Sequence, residues 1–214
     1  MFLKRLSWRV AECINRTGFA VFSSLTVTGL ENVPREGGLL VVSNHLRMSD
    51  IPLLAAGIPR KLVFVGKQEL WKSFTFRTLG NWYECFPVDR TTANTRALKH
   101  SVQIIRDGGA LVIFPEGRRS MEGNLQSGHD GAALIALWAG YPILPVAVTG
   151  TDHADGCKWL WRRPKLTVTI GKPFRLAAAE RGQAREHLTA STERIMRSIA
   201  ELLPEAYRGG YKIV

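Results

Sequence analysis

Only three cysteines occur in 214 residues, at positions 13, 85 and 157. They are far apart and odd in number. That argues against a disulfide framework and against paired-thiol zinc ligation, and a reducing, intracellular setting is expected. Cys85 lies beside a strand, but nothing nearby in sequence would activate it, so it reads as a buried structural thiol rather than a nucleophile. No G-x-S-x-G is present, which removes the strained elbow of the common serine hydrolases. The Walker loop and G-x-G-x-x-G are also missing, and no H-E-x-x-H suggests a metal. Internal repeats and low-complexity segments are absent. The longest uncharged stretch, "GAALIALWAGYPILPVAVTG" (131–150), is broken by Gly140, Pro142 and Pro145. It reads as a helix followed by a buried strand, and no membrane-spanning helix is expected. The N-terminus lacks a small-residue cleavage site after an apolar core, so no signal peptide is expected.

What is present is enough apolar material, 45% of the chain, for a sizeable core in one domain. The net charge is +11. Such an excess points to an anionic partner: nucleic acid, a membrane surface or a phosphorylated substrate. A generally basic, soluble surface is the plainer reading. A nucleic-acid-binding module would cluster its basic residues on one element, with aromatics between them. Here they are spread, and no nucleic-acid partner is expected.

Residues 2–17 have helical periodicity. Leu3, Leu6, Val10, Cys13 and Ile14 share one face, and Arg5, Arg9, Glu12 and Arg16 form a neighbouring stripe. Gly18 is read as an interruption before the apolar cluster "FAVF" (19–22). A basic amphipathic helix beside aromatics suits a membrane interface, with Trp8 and Phe22 as anchors at headgroup depth. The alternative is a helix that packs its apolar face on its own domain. The chain thus divides into a membrane-associating helix (1–22) and a main domain (23–214).

From residue 24 onward strand and helix patterns alternate. Strands are predicted over 24–29, 39–43, 61–66, 83–88, 110–115, 141–150 and 165–174. Helices are predicted over 50–57, with Asp50 as N-cap, and over 69–80, 92–108, 131–140 and 177–203. This alternation predicts an α/β fold: a mixed, largely parallel central sheet flanked by helices. Sites in such folds lie beyond the carboxyl ends of the strands.

Three charged clusters fall there. The first is His45 with Asp50, in "SNHLRMSDIP" (43–52). A carboxylate that holds one imidazole nitrogen protonated leaves the other as a base able to take a hydroxyl proton. The pair alone is equally compatible with a loop histidine bonded to backbone. The second cluster puts Arg90 after the strand of "PVDR" (87–90). The third, "FPEGRRS" (114–120), presents Glu116, Gly117, Arg118 and Arg119. Arginine offers a planar fork of donors to phosphate, and glycine lets the backbone approach closely. Surface ion pairs are the alternative for each.

"NHLRMSD" (44–50), "KQEL" (67–70), "FPVDR" (86–90), "FPEGRRS" (114–120) and "YPILPVAV" (141–148) occur in this order. Together they resemble the ordered motif blocks of the glycerolipid acyltransferases, the 1-acylglycerol-3-phosphate acyltransferase family, over about residues 25–175. The resemblance implies acyl transfer from a thioester, acyl-CoA or acyl carrier protein, to the free hydroxyl of a lysophospholipid, foremost 1-acylglycerol 3-phosphate to give phosphatidate. It makes His45 the base and Asp50 its orienting carboxylate. It puts acceptor phosphate on Arg90, with further acceptor contacts from Glu116, Gly117 and Arg119. It implies peripheral or monotopic attachment to the cytoplasmic face of an anionic membrane, no metal, and no cofactor beyond the acyl-thioester co-substrate. The same chemistry on glycerol 3-phosphate, on a lyso-amino-acid lipid or in transacylation is the alternative. Three positions depart from the family's usual pattern. Arg47 stands where many relatives carry Ser, Glu84 where the second block usually opens with Gly, and Arg118 where E-G-T-R is common. Arg47 and Arg118 are therefore candidates for acceptor selection, through a more anionic or larger headgroup, or for contact with anionic lipid.

Overall fold

The computed structural model describes residues 2–72, 78, 80, 82–88, 95–153, 163–177 and 184–211. Among the described residues seven strands form one sheet: β1 (Ser24–Thr28), β2 (Leu39–Ser43), β3 (Leu62–Lys67), β4 (Phe86–Val88), β5 (Ala110–Ile113), β6 (Ile143–Thr149) and β7 (Lys165–Ile170). Their order is β1-β7-β6-β2-β5-β3-β4. Every pairing is parallel except that of β6 with β7. This is the mixed, largely parallel sheet that the alternating pattern predicts.

The apolar runs of the central strands follow from burial on both faces. In β2 all five residues are buried. Leu39 and Val41 face one core with α1 (Phe2–Phe22) and α2 (Asp50–Gly57). Leu40 and Val42 face the other, with α3 (Thr95–Arg106), α4 (Gly131–Ala139) and α5 (Ala184–Ala200). Burying a Leu or Val side chain fully is worth about 1.5–3 kcal/mol, so these two layers fix the sheet's register. Register then sets the site. Val42 pairs with Ile113 of β5 and Ser43 with Val146 of β6, so the carboxyl ends of three neighbouring strands emerge side by side.

Helix α1 corrects two expectations. Gly18 does not stop it; the helix runs 21 residues, to Phe22. A helical glycine costs only about 1 kcal/mol, and packing of Phe19 into the core offsets that. Ser23 closes the helix, donating both its N–H and its hydroxyl to the Phe19 carbonyl. Trp8 is no surface anchor. It is 5% exposed, in the core with its ring edge-on to Tyr83, whose hydroxyl donates to Asn15 Oδ1. The outward side of α1 carries Val10, Ile14 and Val21, all exposed, and Phe22 is exposed at the helix end. The helix is thus apolar on two opposed sides, one of them packed.

Other boundaries also shift. The helix predicted over 69–80 begins as a 3-10 turn, Gln68–Lys72, and much of the remainder lies outside the described residues. Strand β4 is three residues long rather than six. Beyond the end of β2, Asn44 extends the sheet with its side chain. Its amide Nδ2 donates to the Val148 carbonyl and its Oδ1 accepts the Val148 N–H, both at 2.8 Å and both buried. The side chain thus stands in for one more residue of strand. Asn44→Ala leaves the N–H and C=O of Val148 without those partners. It should cost about 2–3 kcal/mol, read as a lowered urea midpoint with an unchanged slope.

Candidate active site

The chain leaves β2 at Ser43 and turns sharply before α2. This short connection carries His45 and leads into Asp50, the first residue of α2. Asp50 does not cap α2 as predicted; Ser49 occupies that position, without a side-chain cap bond. The Asp50 carboxylate instead turns back over the connection. Its Oδ2 accepts from His45 Nδ1 at 2.8 Å and from the backbone N–H groups of Leu46 and Arg47 at 2.7 and 2.8 Å. Its Oδ1 accepts the Thr151 hydroxyl at 2.6 Å. Asp50 is fully buried, so a carboxylate there needs hydrogen-bond donors, which these groups supply.

An acceptor-only carboxylate at Nδ1 fixes the tautomer: the proton sits on Nδ1, and Nε2 of neutral His45 carries a lone pair. Among the described residues Nε2 has no hydrogen-bond partner. The ring stacks on Phe114, centroids 4.0 Å apart and planes 15° from parallel. Two restraints, an in-plane hydrogen bond and a stacked face, therefore set its orientation.

The loop after β5 holds the same histidine by its backbone. Ser120 N–H donates to the His45 carbonyl at 2.7 Å, and His45 N–H donates to Glu116 Oε1, also at 2.7 Å. Glu116 Oε2 accepts the Gln126 N–H at 2.9 Å. Glu116, predicted to touch the acceptor, is thus 1% exposed and committed inside the loop. Burial pushes its carboxyl up from 4.5 to about 7, against the opposing pull of the two backbone donors. Gly117 adopts φ +67°, and a Cβ there would sit 2.8 Å from the His129 ring. The turn needs glycine for both reasons.

The arginines separate by environment. Arg47 is half-buried, and its Nη1 donates to the carbonyls of Leu46 and Ser120, tying the β2 and β5 loops together. Arg118 Nε donates to Gln126 Oε1 at 2.7 Å. Arg119 is exposed and makes no hydrogen bond or ion pair among the described residues. Arg90 lies outside the described residues. Glu84, at the second departure from the family pattern, adopts φ 47° and pairs with Lys61. Cys85 is held as a thiol, burial pushing it up to about 12. No group of His, Cys, Asp or Glu among the described residues is arranged to hold a metal ion.

Sequence reasoning missed Asn44, Gln126 and Thr151. The partners of Asn44 and Thr151 are distant in the chain and those of Gln126 lie eight and ten residues back, so no local pattern marks them. The signal available was weak: a hydroxyl residue directly after a glycine at the end of a strand level with the histidine.

A family model described as Acyltransferase matches residues 24–149, from β1 to the end of β6. The chain belongs to the acyltransferase family. Among its curated relatives is the 1-acyl-sn-glycerol-3-phosphate acyltransferase of Bacillus subtilis, 28% identical over 80% of this chain and 84% of that protein. A second is that of Streptococcus pneumoniae, 30% identical over 65% of this chain and 50% of that protein. The crystal structure of the 1-acyl-sn-glycerophosphate (LPA) acyltransferase from Thermotoga maritima matches this acyltransferase with a TM-score of 0.69. It is 25% identical and covers 90% of this chain and 80% of that one.

Glu116 couples folding to pH. Folded Glu116 binds a proton more readily than the unfolded chain does. Its protonation therefore stabilises the fold fully below pH 4.5, and that contribution is lost as pH rises through about 7. Glu116→Gln does not titrate. The urea midpoint of wild type should thus fall relative to Glu116→Gln as pH is raised across this window.

Proposed function

We propose that this acyltransferase moves a fatty acyl group from a thioester donor, acyl-CoA or acyl carrier protein, to the free hydroxyl of 1-acylglycerol 3-phosphate, giving phosphatidate. The observation that carries the reading is the 2.8 Å bond from His45 Nδ1 to buried Asp50, which turns a lone pair on Nε2 toward whatever enters the site. The names of the relatives support the acceptor.

The acceptor phosphate docks on Arg90 and on Arg119, the exposed arginine. The acceptor hydroxyl then gives its proton to His45 Nε2 as its oxygen attacks the thioester carbonyl carbon. Asp50 stabilises the imidazolium that forms. The tetrahedral intermediate collapses, the C–S bond breaks, and the imidazolium returns its proton to the leaving thiolate. Free thiol and acylated lipid result, with no acyl-enzyme. Arg47 is engaged by two carbonyls, so its part in acceptor choice is indirect: it sets the spacing of the two loops.

General-base action is typically worth about 10²–10⁴-fold, so His45→Ala should lose at least about 10²-fold in turnover while keeping its melting curve. A variant that turns over like wild type would refute the assignment. Running a panel of lysolipids and glycerol 3-phosphate with both donors, read by mass spectrometry, tests the acceptor. Preference for another headgroup would replace 1-acylglycerol 3-phosphate.

Membrane attachment rests on the outward side of α1. Among the described residues no helix is long and apolar enough to cross a membrane. The exposed Val10, Ile14, Val21 and Phe22 suit shallow insertion beside anionic headgroups. Ile14→Asp, on the unpacked side, should leave the fold intact and weaken sedimentation with anionic liposomes. Unchanged sedimentation would place the contact elsewhere.

A further inference from the structure

Three of the four bonds to Asp50 come from its own connection, residues 45–47. The fourth comes from Thr151, 101 residues along the chain. Thr151 is fully buried and follows Gly150, just past the end of β6. Its seat is held on both sides. Gly150 adopts φ +89°, and a Cβ there would lie 2.0 Å from the Lys165 carbonyl oxygen, so the turn is pressed onto the start of β7. On the other side, Asp152 accepts the Tyr207 hydroxyl at 3.1 and 3.2 Å. The Tyr207 carbonyl in turn accepts the Leu125 N–H at 2.8 Å, and the next residue's N–H supports Glu116. The Thr151 hydroxyl is thus delivered to Asp50 from the end of β6, by a turn anchored to the frame of the sheet and not by the connection that bears His45.

This bears on the carboxylate's plane. All three donors on Oδ2 move with one short connection. Oδ1 has one donor among the described residues, and it is Thr151. A carboxylate held at both oxygens by separate parts of the fold cannot rotate about its Cβ–Cγ bond. Held at Oδ2 alone, it can turn Oδ1 toward the imidazole or leave that oxygen buried without a donor. We propose that Thr151 is a positioning residue for the proton-transfer step: its hydroxyl locks the Asp50 carboxylate so that Oδ2 stays in line with His45 Nδ1. This rests on His45 acting as the base.

Thr151→Val keeps the shape and removes the hydroxyl; Thr151→Ser keeps the hydroxyl and removes the methyl. A hydrogen bond to a charged group is worth enough that Thr151→Val should lower kcat about ten- to hundredfold, with the acceptor KM within about twofold of wild type. A carboxylate out of line with Nδ1 also holds the imidazolium less tightly, so the acid limb of the kcat/KM profile should move to lower pH. Thr151→Ser should restore kcat to within about threefold and return the limb to its wild-type position. A defect of packing alone would lower the melting temperature without moving the limb. Wild-type kcat and an unmoved limb in Thr151→Val would overturn the role, as would a Thr151→Ser variant impaired as much as Thr151→Val. Should Thr151→Val not fold, Thr151→Ala against Thr151→Ser isolates the same hydroxyl, and equal kcat in that pair overturns it. His45→Ala assayed alongside separates the two readings. An active His45→Ala removes the base and this inference with it, whereas an inactive His45→Ala beside a wild-type-like Thr151→Val overturns Thr151 alone.

Discussion

A single carboxylate, that of Asp50, must remain satisfied for the site to exist. It sits fully buried at the first turn of a helix, where nearly every polar atom needs a partner. Four donors converge on it: an imidazole, two backbone amides and a hydroxyl. Only one is the catalytic candidate. The other three stabilise the charge regardless of what His45 does, so the carboxylate keeps its place when the histidine gains or loses a proton. The early helix macrodipole adds to this, since a negative group near an N-terminus is favoured.

The sheet makes the convergence possible. Strands β2, β5 and β6 are neighbours and run the same way, and their carboxyl ends lie on the same edge of the sheet. Each hands its next few residues to the same small volume. His45 comes from β2, the Phe114 and Glu116 supports from β5, and the Thr151 hydroxyl from β6. Asn44 stitches β2 to β6 where regular pairing stops, and Arg47 stitches the β2 loop to the β5 loop. Both stitches use side chains because the backbone has already left the ladder.

Much of this was legible in the chain, and what was not has physical causes. Strands buried on two faces write themselves as continuous apolar runs, which is why "LLVVS" and "YPILPVAVTG" read correctly. The His45–Asp50 spacing is local, and motif order gave it meaning. Gly18 misled because a weak local cost was outweighed by the packing of Phe19. Trp8 misled because a helix with two apolar sides does not declare which one is packed. Asp50 misled as a cap because its side chain has better partners behind it than ahead. Glu116 has the chemistry of a ligand contact, yet its carboxylate is bound by two backbone amides ten and seventy-one residues away. Asn44 and Thr151 carry no local signature, since each meets its partner more than a hundred residues distant.

The stacking of His45 on Phe114 has a consequence for how such a protein can diversify. A ring held by its face, its Nδ1 and its own backbone N–H and carbonyl is rigid before any ligand arrives. Little reorganisation remains for substrate to drive. The His45–Asp50 pair is therefore held without help from the exposed arginines around it. On the proposed mechanism, a change of headgroup can be written into the rim of the site while this pair is left untouched.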